Sequence, residues 1–230
     1  MVVSENASSA ADGSFWHRAA ALVRQAAQRL RVRRETGPID TVDALARFAH
    51  TRAAFVAQKK LYGYLKARMG TRYPSMFEDA VFVESINVAK RHVFAACLSD
   101  IAVHSVARVV AAGGLEEEAG RLLALHCYDA GLDANRDDLE DEAMLAAWRA
   151  AFSARLAKAH WENLAAGGDS FTESPQALYH WAPIDETLKR YDREIVENSI
   201  RFAWAEVTRD FRKRAVPQAI AEDFRAASSD

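Results

Sequence analysis

The chain is poor in the residues and motifs that usually betray a function. Among 230 residues there are two cysteines, Cys97 and Cys127. That excludes a disulfide framework and a cysteine-built structural zinc site. The prolines number 5, and each falls between apolar-periodic segments. Proline removes a backbone donor and clashes with the preceding turn, so this placement reads as punctuation between helices. No Gly-rich phosphate loop, Gly-x-Ser-x-Gly, Glu-x-x-His or fixed-period repeat occurs. Their absence disfavours phosphate-loop nucleotide binding, the strand-to-helix nucleophile elbow, the di-iron bundle and solenoids. Period-two alternation is missing as well, so strands are not expected. The first twelve residues lack the apolar core of a secretory leader, and a cytoplasmic location is expected, with both thiols reduced and buried. The most apolar stretch, Val93 to Ala112, carries Asp100, His104 and Arg108, and is not expected to span a bilayer.

A bias in net charge is also missing at first sight: 30 bases stand against 32 acids, a net of −2. The balance is a cancellation. Residues 1–75 hold 13 bases and 5 acids, residues 76–150 hold 6 and 14, and residues 151–230 hold 11 and 13. An anionic membrane surface or acidic protein partner is therefore expected at the N-terminal third.

What is present is apolar and helical. Half the residues are hydrophobic, enough for a real core. Helices are expected near 15–34, 40–69, 76–111, 116–131, 139–166, 175–181, 185–214 and 217–226. The fold expected is all-α, an irregular helical bundle around a central apolar helix at about 76–111, with residues 39–227 as one domain. Residues 1–14 are read as disordered, and 15–34 as a separate basic amphipathic helix. Ser75-Met76-Phe77-Glu78 reads as a capping box, and Ser174-Pro175 as an N-cap followed by a first-turn proline. After Asp185, the residues Leu188, Tyr191, Ile195, Ser199 and Phe202 recur at helical spacing.

Three groups of residues can carry function. On helix 15–34, Phe15 and Trp16 lie on an apolar arc opposite Arg18, Arg24, Arg29 and Arg31, the pattern of a helix that docks on anionic head groups or a partner. On the next helix, Phe48, Phe55 and Tyr62 form a stripe beside Arg52, Lys59 and Lys66. Such a stripe can stack single-stranded nucleic acid, but it more often forms core edged by snorkelling lysines, and nucleic acid is not the expected partner. Just beyond, Tyr62, Tyr64, Arg68, Arg72 and Tyr73 can converge on an anion or partner, or simply close a helix end. On the central helix, Cys97, Asp100 and His104 share a face as a candidate nucleophile, orienting acid and base. Cys97 and His104 are about 10 Å apart along the axis, so a direct bond between them needs a kink. An Asp100–His104 hydrogen bond, completed by Arg108 or a facing helix, is the structural alternative. The acidic run from Asp133 begins like a calcium loop but lacks its glycine and final glutamate. No metal and no cofactor are expected.

The segments Lys59–Asp79 and Phe94-Ala95-Ala96-Cys97-Leu98-Ser99-Asp100 resemble a family of small, uncharacterised bacterial helical proteins, some labelled "esterase". The resemblance implies an ester hydrolase and supplies no residue roles. The sequence itself reads first as a non-catalytic adaptor or assembly factor, with hydrolase and single-stranded nucleic-acid binding as the alternatives. Its oligomeric state is left open.

Overall fold

The computed structural model describes residues 36–139, 141–167 and 170–228, so the N-terminal expectations, including Phe15, Trp16, Arg18, Arg24, Arg29 and Arg31, lie outside the described residues. The described helices are α1 (Val42–Met69), α2 (Tyr73–Met76), α3 (Ala80–Gly113), α4 (Glu117–Asp133), α5 (Glu142–Leu156), α6 (Trp161–Ala165), α7 (Glu173–Trp181), α8 (Glu186–Lys189), α9 (Arg193–Arg214) and α10 (Pro217–Ala227). Among the described residues there is no strand, only an isolated bridge between Ile39 and Ala215.

α3 is the central helix that the apolar run implied. Ile86, Ala89, Val93, Leu98, Ile101, Val103, Val106 and Val109 are buried on several sides of it. α1, α4, α6, α7 and α10 all pack against it. By length and composition α3 is apolar enough to cross a bilayer, but 83% of its apolar window is buried by these neighbours. Its start differs from the expected capping box. Ser75 donates to the Arg72 carbonyl at 2.9 Å and does not cap. Asp79 is the cap, accepting from the Val81 and Phe82 amides at 2.9 and 3.3 Å. The helix therefore begins at Ala80, and Val81 in its first turn is exposed. It ends at Gly114, whose φ of 62° is left-handed.

α4 lies close along α3 because two of its residues have no side chain. A Cβ on Gly131 would stand 2.7 Å from Leu98 Cδ2, and one on Gly120 would stand 2.4 Å from Val110 Cγ2. Each glycine costs a helix about 1 kcal/mol relative to alanine. The close approach of two apolar surfaces offsets it.

Two long helical expectations are each divided. The 139–166 segment forms α5 and α6, and the 185–214 segment breaks between Lys189 and Arg193 into α8 and α9. α9 then buries Val196, Ile200, Trp204, Val207 and Phe211 against the domain.

Candidate functional site

The polar centre of the molecule is Asp100, fully buried on α3. Ionised side chains are costly there unless paired and hydrogen-bonded. Asp100 is both. Arg155 of α5 donates to its Oδ1 at 2.8 Å. The Ser174 amide and hydroxyl donate to Oδ2 at 2.8 and 2.6 Å, and the Glu173 amide to Oδ1 at 3.2 Å. Asp100 thus caps the N-terminus of α7 from another helix. This corrects the expected role of Ser174: it lies inside α7, bonds Asp100 and accepts from Trp204 Nε1 at 2.9 Å. Arg155 also donates to Ser99 Oγ at 2.7 Å and to the Ser170 carbonyl at 3.0 Å. Burial raises the Asp100 carboxyl above its ordinary range, while Arg155 and Ser174 oppose that rise.

This network answers the expectation at Cys97, Asp100 and His104. The facing helix completes the Asp100 set through Arg155, not through Arg108. The expected Asp100–His104 bond is not formed. Neither ring nitrogen of His104 has a hydrogen-bond partner among the described residues. Its ring packs against Phe171 and Phe211, with centroids 5.1 and 6.4 Å away. Burial, then Arg108 and Arg212, pull its pKa down to about 4. Burial, then Asp100, push the Cys97 thiol well above its usual value. A protonated, fully buried thiol is a poor nucleophile.

The Tyr/Arg segment is partly consumed by the fold. Arg68 forms a two-pronged ion pair with Asp192, and Tyr64 donates to the same carboxylate at 2.7 Å. Arg68 and Tyr64 hold the Asp192 carboxyl below its ordinary range. Tyr62 is half-buried, Tyr73 packs edge-on against Phe77 at 5.1 Å, and Arg72 alone of the five lies exposed without a resolved bond among the described residues. So Tyr64 and Arg68 clamp α1 to the turn before α9 and do not converge on open space. The Phe48 and Phe55 rings are covered as well, by Arg52 at 5.5 Å and Lys59 at 5.2 Å. In the acidic loop, Asp133 pairs with Arg149 and Arg136.

Beside that clamp lie four exposed large apolar side chains, of which only the Tyr191 ring carries a cation, Arg190 at 4.5 Å, among the described residues. Leu188, Tyr191, Ile195 and Phe202 are 62%, 78%, 71% and 77% exposed. Arg190, Arg193, Arg201, Glu186 and Glu194 lie exposed around them, so both signs of charge flank the patch.

A separate cleft of about 580 Å³ opens where α3, α5, α7 and α8 meet. Residues at i, i+4 and i+7 of α5 (Trp148, Phe152 and Arg155) form one wall, and His92 and Ser99 of α3 form another. His92 stacks on Trp181 at 3.5 Å and meets Trp148 edge-on at 5.2 Å. Burial, then His180, keep His92 below the usual imidazole range. Lys189 closes the α7 side, donating to the His180 carbonyl at 3.1 Å.

No family model, curated protein or solved structure matches the chain. Arg155, His92, Trp148 and Lys189 were not singled out by sequence reasoning, and Ser174 was singled out only as a helix cap. The 148/152/155 and 92/99 spacings were the available signal, since each puts polar and aromatic groups on one helix face.

Proposed function

We propose that the chain works by binding, as a helical adaptor that docks a protein partner along α8 and α9. The exposed patch of Leu188, Tyr191, Ile195 and Phe202 carries this reading. Single exposed apolar residues are ordinary, whereas four large ones between residues 188 and 202, on α8, the turn after it and α9, make a patch that another helix can cover. The flanking charges favour a protein over a lipid surface. An anionic bilayer would attract Arg190 and Arg201 but repel Glu186 and Glu194, while a protein can answer both signs. The Arg68–Tyr64–Asp192 clamp supports the reading by fixing Tyr191 and the start of α9 to α1. Docking on an anionic membrane through residues 15–34 is a second proposal, carried by six arginines and no acid over residues 13–34 of the sequence.

The adaptor reading predicts a position-specific photo-crosslink. A photoreactive phenylalanine analogue placed at Phe202 in the full chain, in cells, should give one discrete adduct with another protein. The same probe at exposed Leu122 should not. No adduct at 202, or the same smear at both positions, removes the reading. An adduct of twice the chain mass replaces a foreign partner with self-association.

A further inference from the structure

We propose that the cleft between α3, α5, α7 and α8 binds a small planar monoanion, an aromatic or conjugated carboxylate, whose acid group takes the place of Glu186 at the Lys189 ammonium. This is a second site, and Glu186 and Arg193 border both it and the exposed apolar residues of α8 and α9. Three observations converge on it. A volume of about 580 Å³ lies within the range of small-molecule pockets. Its walls are aromatic and pre-assembled, with the parallel His92–Trp181 pair and the Tyr128–Phe152 pair, whose centroids lie 4.1 Å apart. A flat ligand extends such stacks with little loss of rotamer freedom.

The third observation is the charge of Lys189, which is only 2% exposed. A buried ammonium needs a counter-charge. Its carboxylate partner is Glu186 at 2.8 Å, a side chain 79% exposed. Pairing with so exposed a group is weakened by water. Tyr179 presents its ring to Lys189 at 5.4 Å and to Arg193 at 4.4 Å, so two cations converge on one rim of the cleft. Arg155, at the floor, is committed to Asp100. The cleft is thus polarised, with Arg155 committed to Asp100, aromatic walls, and at the rim a buried ammonium that is bonded to the His180 carbonyl and whose carboxylate partner is exposed. A ligand carboxylate held against the wall is less hydrated than Glu186 and can displace it by rotation of one surface side chain.

The full-length protein is titrated calorimetrically with 2-naphthoate, with 2-naphthamide of the same shape, and with saturated decahydro-2-naphthoate. The naphthoate should bind at least tenfold more tightly than either of the others. Lys189→Met should lose at least tenfold in naphthoate affinity. Glu186→Gln, which removes the competing carboxylate, should tighten binding several-fold. Equal affinity for naphthoate and naphthamide overturns the anion, and equal affinity for the saturated acid overturns the planar body. No binding at millimolar ligand overturns the site. Should Lys189→Met fail to fold, Glu186→Gln decides the question, since an exposed side chain is replaced there; unchanged or weakened binding then overturns the exchange.

Discussion

At the scale of single residues, His104 is the most consequential side chain whose polar atoms lack a hydrogen-bond partner among the described residues. Its imidazole is held neutral among Phe171 and Phe211, with Arg108 and Arg212 near enough to oppose a proton. The folded pKa of about 4 lies below the ordinary 6.5, so the unfolded chain takes up the proton first. Stability is then fully present above about pH 6.5 and is lost as pH falls towards 4. At pH 4.5 the loss from this group alone should be about 2–3 kcal/mol. Urea unfolding of wild type and His104→Leu at pH 7 and 4.5 measures it: the wild type should lose that much more than the variant. Parallel losses in the two proteins would remove His104 as the cause. The sequence made His104 visible through its place in an apolar run. It could not show that Asp100, one turn away, would be taken by Arg155 from a helix 55 residues distant.

At the scale of elements, α9 carries the sharpest lesson about what periodicity can tell. The spacing of Leu188, Tyr191, Ile195 and Phe202 signals one helix, but Leu188 falls on α8, Tyr191 in the turn, and only Ile195 and Phe202 on α9. All four are exposed, and the buried face of α9 is Val196, Ile200, Trp204, Val207 and Phe211. Both arcs are apolar, so hydrophobic spacing alone could not choose between them. The choice is made by packing, since Trp204 reaches Ser174 and stacks on Phe171 at 5.0 Å. Two truncations separate the faces. Trp204→Ala should cost about 3–5 kcal/mol of stability. Phe202→Ala, two residues away, should change stability by no more than about 0.5 kcal/mol. Chemical denaturation of both variants gives the comparison, and a large loss for Phe202→Ala would mean that the exposed patch is covered by the chain itself. Helix type and rough position were legible along most of the described chain. Breaks such as that between α8 and α9 were not, because the Arg190–Asp192 turn contains neither proline nor glycine.

At the scale of the whole molecule, the Asp100–Arg155–Ser174 set is a tie between α3, α5 and α7, with Trp204 of α9 as a fourth member. Removing one partner of a buried ion pair leaves an uncompensated charge, at a cost of about 3–5 kcal/mol. Arg155→Leu should cost that much by chemical denaturation. The double variant Asp100→Asn/Arg155→Leu should recover part of the loss, because no lone charge is then buried. Full additivity of the two changes would mean that the pair acts as two separate contacts. The architecture around a central helix was readable from composition, whereas this tie was not, since it joins residues that no local pattern relates.

The Ile39–Ala215 bridge has a consequence for how the chain is closed. Ile39 donates to the Arg214 carbonyl and accepts from the Val216 amide, each at 2.9 Å, and the Val42 amide donates to Asp223 at 2.8 Å. The described helices therefore form a ring in sequence, with the entry to α1 clasped to the α9–α10 corner. Such a clasp spans 181 residues between Val42 and Asp223 and gains nothing until the helices between them are in place. It is the seam at which a short linker could join residue 37 to residue 228, leaving a new start and finish to be cut in an exposed turn elsewhere.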